Sequence, residues 1–228
     1  MTLQTLDMQT RETPRFSIIV MHGLGSSSDD LAPLCQALDL RPVVERVGGL
    51  RFVLPDAPVI PVTINNGMAM PAWYDIRHGD LRQREDAEGL RQSQALIEEL
   101  IQREEQEHGI PPERVVLAGF SQGCAMTLLT GLRHARPLAG LVGLSGYLPM
   151  LDSTEAERHV ANANTPVFLA HGDHDPVVPP TRALASLAEL QRLHQPVSWH
   201  TYPMGHEVCQ EEVGDLTQWL CELLVKIG

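Results

Sequence analysis

The chain of 228 residues is 43% hydrophobic, enough for one sizeable core and an ordinary length for a single α/β domain. Its formal net charge of −12 argues against an electrostatic partnership with nucleic acid or an anionic membrane surface. No apolar run approaches the roughly 18 residues needed to cross a bilayer, so stable membrane insertion is not expected.

The opening stretch MTLQTLDMQTRETPRF has no basic region followed by an apolar stretch and a small-residue cleavage site, so it does not read as a secretory signal. Residues 1–14 read as an extension, and 15–228 as one domain. The cysteines Cys35, Cys124, Cys209 and Cys221 lack paired spacing, which fits free thiols in a reducing cytoplasm better than a disulfide or zinc framework.

FSIIVM (16–21) reads as the first core strand. The loop HGLGSSSDD follows, where Asp29 or Asp30 caps a helix presenting Leu31, Leu34, Cys35 and Leu38. RFVLP (51–55) is the next strand. The segment APVIPVTINNGMAMPAWYDI (57–76), dense in Pro, Gly, Met and Trp, suits neither helix nor strand. It reads as a partly ordered loop that walls a pocket, packs on the core through Trp73 and Met70, or does both. Leu90, Ile97, Leu100 and Ile101 line a helix that stops at Gly109, before Pro111 and Pro112. RVVLAGF (114–120), LAGLVGL (138–144), PVFLAH (166–171) and PVSWHTY (196–202) are further strands. Helical stripes run through Leu184, Leu187, Leu190 and Leu193, and through Val213, Leu216, Leu220 and Leu223. Most strand runs are continuous rather than alternating, as in strands buried on both faces. Strand followed by helix, repeated, predicts a mainly parallel, doubly wound α/β sheet flanked by helices. Such sheets bind ligands at the carboxyl ends of their strands.

Gly119-Phe120-Ser121-Gln122-Gly123 lies at one of those ends. A serine held at the apex of a sharp strand-to-helix turn projects its hydroxyl, and glycines two residues either side remove the collision across the turn. The bland alternative is a turn that merely contains serine. Gly143-Leu144-Ser145-Gly146 lacks the second glycine at the right offset, so Ser145 reads as structural. A serine nucleophile requires a base and an orienting carboxylate, in the order serine, acid, histidine for this topology. HGDHDPVVPP (171–180) follows one strand and offers Asp173 and Asp175; YPMGHEV (202–208) follows another and offers His206. The His171, Asp173, His174, Asp175 group is also a weak metal candidate, but nothing completes a ligand set, and no metal or other cofactor is expected. His22 reads as a brace for its loop rather than a base. HGLGSSSDD has neither GxGxxG nor GK[ST] spacing; an oxyanion hole from the N–H groups of Leu24 and Gln122 fits better.

Taken together, HGLGSSSDD, the 57–76 segment, GFSQGCAM, LSGYLP (144–149), HGDHDPVVP and GHEV resemble the carboxylesterase/acyl-protein thioesterase family of α/β-hydrolases, also labelled phospholipase/carboxylesterase. The likeness spans about residues 15 to 225. It implies an α/β-hydrolase fold without a large lid, with Ser121 as nucleophile, Asp175 rather than Asp173 as acid and His206 as base. Leu24 and Gln122 match the oxyanion donors, and Met70, Trp73 and Val177 fall where the family lines its acyl pocket. Ala72 departs from the serine often found before the Trp, which bears on selectivity at that wall.

The expected activity is hydrolysis of short- to medium-chain carboxylic esters through an acyl-enzyme. The alternatives that share this carbonyl chemistry are an acyl-protein thioesterase and a lysophospholipase. The substrate is then a small-molecule or lipid acyl ester, or an acylated protein. A non-catalytic binding module on the same fold is the competing class, and the intact Ser121, Asp175 and His206 argue against it. Apolar walls near the pocket are compatible with a homodimer.

Overall fold

The computed structural model describes residues 3–81 and 83–228. In chain order its elements are β1 (Thr5–Gln9), β2 (Pro14–Met21), α1 (Ser28–Ala37), α2 (Arg41–Val47), β3 (Gly49–Pro55), β4 (Val59–Val62), β5 (Met68–Pro71), α3 (Ala87–His108), β6 (Val115–Phe120), α4 (Gln122–Arg133), β7 (Gly140–Leu144), α5 (Thr154–Glu157), β8 (Val167–Gly172), α6 (Pro180–Arg192), β9 (Val197–Tyr202) and α7 (Gln210–Ile227). Seven strands form one sheet in the order β1-β3-β2-β6-β7-β8-β9. Every neighbouring pair is parallel except β1 with β3.

The unbroken apolar runs follow from burial on both faces. Ile18 and Val20 point one way, joining Val116, Val142 and Phe168 under α1, α2 and α7; Ile19 and Met21 point the other way, joining Leu117, Leu141 and Leu169 under α3 and α4. No large lid covers the carboxyl ends of the strands among the described residues, and no helix there is long and apolar enough to cross a membrane.

Four local expectations are corrected. Thr5–Gln9, within the expected extension, is the antiparallel edge strand of the main sheet, in register from Thr5↔Pro55 to Gln9↔Arg51. The cap of α1 is Ser27 rather than Asp29 or Asp30. Its N–H donates to Asp30 Oδ2 at 3.0 Å, so Asp30 closes the turn from inside the helix. Leu184 of α6 is half exposed, and the buried positions are Arg182, Ala183, Ser186 and Leu190. A spacing of three falls about 60° short of a full turn at each step, so Leu184 and Leu193 cannot share a face. The 57–76 segment is not an irregular loop: β4 and β5 make a two-stranded ribbon closed by a turn at Asn66 and Gly67, both at positive φ. Pro61 and Pro71 are tolerated because each strand of an isolated ribbon has an open edge where a missing N–H costs nothing.

A buried ionic knot ties β1 to the core. Glu104 of α3 is fully buried; Ser17 Oγ donates to its Oε2 at 2.7 Å and Arg51 Nε to the same oxygen at 3.0 Å. Arg51 Nη2 continues to Asp7 of β1 at 2.7 Å. Glu104→Ala leaves the buried guanidinium with only Asp7 and is expected to lower stability by about 3 kcal/mol, read as a lower urea midpoint. An unchanged midpoint would remove the knot from the account.

Candidate active site

β6 ends at Phe120 and α4 begins at Gln122, leaving Ser121 alone to make the turn, at φ 58° and ψ −115°. That strained conformation persists because the surroundings determine it. A Cβ on residue 119 would strike the backbone of Gly123, and one on residue 123 would strike the carbonyl of Met21. Both glycines are therefore required by close approach. Ser121 N–H donates to Leu144 O at 2.9 Å, and its side chain stays partly exposed.

His206 sits in the turn after β9, against Ser121. Its Nε2 lies 2.9 Å from Ser121 Oγ, and its Nδ1 lies 2.7 Å from Asp175 Oδ2. A carboxylate only accepts, so Nδ1 carries the proton and Nε2 faces the hydroxyl as an acceptor. Asp175 is buried in the turn after β8, and its Oδ1 accepts from Val177 N–H at 2.8 Å and Val178 N–H at 2.9 Å. Asp173 is instead exposed, with its backbone N–H donating to Tyr202 O. The three expected side chains thus meet from three different strand ends.

Two neutral histidines brace this arrangement. His171 Nε2 lies 2.8 Å from Val178 O, and a carbonyl acceptor requires the proton on that nitrogen. Burial lowers its pKa and keeps the ring neutral beside Asp175. It braces the Asp175 turn through that bond. His22 is fully buried; its Nε2 accepts from Ala57 N–H at 3.0 Å and its Nδ1 lies 2.7 Å from Gly23 O. Both ring nitrogens are thus engaged by backbone groups, and burial lowers its pKa too.

Leu24 follows that brace in the loop after β2, and Gln122 is the first residue of α4, where a helix keeps unpaired N–H donors. Met70 is half-buried, with its sulfur 3.7 Å from the point a Cβ on Gly25 would occupy. Val177 is exposed on the acid turn. Trp73 takes the core-packed placement expected beside the pocket-wall reading. It is only 1% exposed, and its indole N–H donates to His22 O at 2.9 Å, so it supports the first loop from beneath. Ala72 is also fully buried.

Two participants escaped the sequence reading. The Phe120 ring packs on the His206 ring with centroids 4.8 Å apart, and the Gln122 side chain bonds to Trp73 and Tyr74. Position alone in Gly-x-Ser-x-Gly carried a signal for both, but their contacts come from distant loops. Burial pushes the thiols of Cys35 and Cys124 up to about 12, which leaves them protonated at neutral pH and unfit as nucleophiles. A cleft of about 720 Å³ between the β1–β2 turn and α1–α2, floored by Met8, Leu38 and Phe52, is lined by none of these catalytic candidates.

The sequence model of the Phospholipase/Carboxylesterase family matches residues 8–224. Acyl-protein thioesterase 1 of Mycosarcoma maydis is 42% identical over 233 residues, covering 96% of each chain. Acyl-protein thioesterase 1 of Gibberella zeae is 42% identical over 213 residues, covering 90% of this chain and 88% of its own. Among solved structures, Arabidopsis thaliana SOBER1 aligns with a TM-score of 0.85 at 27% identity, covering 92% of this chain and 99% of its own. Zea mays acyl-protein thioesterase 2 aligns with a TM-score of 0.83 at 25% identity, covering 97% and 99%. The fold is that of the α/β-hydrolases, and the chain belongs to the phospholipase/carboxylesterase family of hydrolases.

Proposed function

We propose that the protein is a serine hydrolase whose preferred substrates are thioesters of acylated proteins, with ordinary carboxylic esters cleaved at the same centre. The observation that carries the hydrolytic reading is the single imidazole bridging Ser121 Oγ at 2.9 Å and Asp175 Oδ2 at 2.7 Å. The thioester preference is supported by relatives named acyl-protein thioesterase 1 over nearly the whole chain. It revises the ester preference expected from the sequence. A cytoplasmic setting is supported by four free cysteines.

In this reading, Ser121 Oγ attacks the acyl carbonyl while its proton passes to His206 Nε2. The carbonyl oxygen takes up negative charge facing the N–H groups of Leu24 and Gln122. The carbon–sulfur bond then breaks, and the leaving sulfur takes the proton from His206 as it needs it. A cysteine thiol has a pKa of about 8.5, so its thiolate departs with far less help than an alkoxide. Water repeats the sequence on the acyl-serine, regenerating Ser121 and releasing the carboxylic acid. Asp175 holds the imidazole tautomer and stabilises its charged form.

The test is a chain-length panel of p-nitrophenyl esters alongside an S-acylated peptide, with a fluorophosphonate to label Ser121. Labelling together with a higher kcat/KM on the thioester is the expected result. Labelling with faster ester turnover restores the carboxylesterase reading, and failure to label favours a binding module.

A further inference from the structure

The strip Pro71–Tyr74, at the foot of the β4–β5 ribbon, is hydrogen-bonded on both sides. On one side Gly25 N–H donates to Pro71 O at 2.8 Å and the Trp73 indole N–H donates to His22 O at 2.9 Å. The loop carrying Leu24 is therefore tied to the strip at two points. On the other side stands the Gln122 side chain. Its Oε1 accepts from Trp73 N–H at 3.0 Å, and its Nε2 donates to Tyr74 O at 2.9 Å. A backbone donor and a backbone acceptor face the two ends of the amide, so its orientation is fixed by chemistry. Gln122 is 4% exposed, and solvent cannot replace either bond. Ser93 Oγ donates to Trp73 O and anchors the strip to α3.

One short piece of chain thus sets the spacing between the two peptides whose N–H groups are proposed to hold the oxyanion. That same piece runs directly into the ribbon. Met70 lies against Gly25, and Asn65 Nδ2 donates to its sulfur at 3.2 Å. Farther out, Ile64 and Met68 are 46% and 64% exposed, apolar surface that the described residues leave uncovered.

We propose that the Gln122 side chain is a positioning residue that couples the β4–β5 ribbon to the oxyanion donors. An acyl chain lying along Met70 and Met68 then steadies the ribbon, and through Gln122 it steadies the donor pair. Chain length is read as kcat and not only as KM. Binding energy from a remote part of the substrate is used where the carbonyl reacts, because donors already held in place need no rearrangement as charge develops. This inference rests on Ser121 being the acylated serine.

The experiment compares the full-length protein with Gln122→Met and Gln122→Glu on p-nitrophenyl acetate, butyrate and octanoate. Methionine keeps the volume and loses both bonds; glutamate keeps the acceptor for Trp73 N–H and loses the donor to Tyr74 O. In the parent protein kcat rises from acetate to octanoate. In Gln122→Met, kcat on octanoate falls about 10- to 100-fold with KM within about twofold, and the rise with chain length disappears. Gln122→Glu recovers part of that loss. In Gln122→Met the acid limb of the pH profile stays where it was, since the His206 contacts are untouched. A folded Gln122→Met with undiminished kcat, a loss confined to KM, or a parent kcat flat with chain length overturns the coupling. Should Gln122→Met fail to fold, Gln122→Glu is judged by the same criteria. A parent protein that neither hydrolyses these esters nor reacts with the fluorophosphonate overturns the hydrolase reading itself. Turnover by the parent with indifferent Gln122 variants overturns only the coupling.

Discussion

Ser121→Ala is expected to lower kcat on p-nitrophenyl butyrate by about a million-fold, and combining it with His206→Ala should cost nothing further. The non-additivity follows from shared labour: once the oxygen nucleophile is gone, the imidazole has no proton to take. Asp175→Asn is more discriminating. Val177 and Val178 N–H groups both donate to Asp175 Oδ1, so in the variant that position must be filled by the amide oxygen. The amide NH₂ is then turned toward His206 Nδ1, which sits 2.7 Å from Oδ2 in the parent. A donor at that point forces the ring proton onto Nε2, which faces Ser121 at 2.9 Å and can no longer act as a base. A fall of about 10⁴-fold is expected with the fold intact. Wild-type rates in Ser121→Ala would end the assignment, and wild-type rates in Asp175→Asn would end the tautomer argument.

The parts of this centre legible in the sequence were those whose chemistry is local. A strand ending in Gly-x-Ser-x-Gly has few uses, and two further strand ends supplied a candidate acid and a candidate base. Core strands were legible for a similar reason, since burial on both faces writes an unbroken apolar run. Elements stabilised from a distance were not. TLDMQ carries only two apolar side chains, and β1 is held by pairing with β3 and by the reach of Arg51 to Asp7. The seven residues of α2 are too few for a periodic stripe to declare itself. In the ribbon, prolines obscured strands whose open edges accommodate them. Trp73 is a separate lesson. Composition and resemblance left it open between a pocket wall and core packing; the indole N–H has a partner at His22 O, and a buried partner takes the ring inward. The bonds of the Gln122 amide join residues 49 and 48 positions apart, and no spacing rule reaches that far.

The second large effect is a loss of stability between about pH 4.5 and 8 that arises at Glu212. This residue lies in the first turn of α7, just past the turn that carries His206, and it is fully buried. Among the described residues neither carboxylate oxygen has a hydrogen-bond partner at ordinary geometry. Burial pushes its pKa up to about 8 from an ordinary 4.5, and the neighbouring Cys209 N–H opposes this only weakly. The folded protein therefore binds this proton more tightly than the unfolded chain. Below about pH 4.5 both states hold the proton and the site costs nothing. As pH rises toward 8 the unfolded chain has already released it while the folded chain has not, and stability drains away. Above 8 the folded state also ionises and the loss levels off, at about 4–5 kcal/mol in total. Glu212→Gln keeps the shape and removes the titration. Urea unfolding of both proteins at pH 5, 7 and 9 should show the variant gaining on the parent across that span, with most of the gain complete by pH 9. Because α7 follows directly on the turn bearing His206, the parent should also inactivate faster than the variant on warming at pH 9. Stability curves that run parallel from pH 5 to 9 would mean that the carboxylate finds a partner or water when it ionises, and that the first turn of α7 carries no such liability.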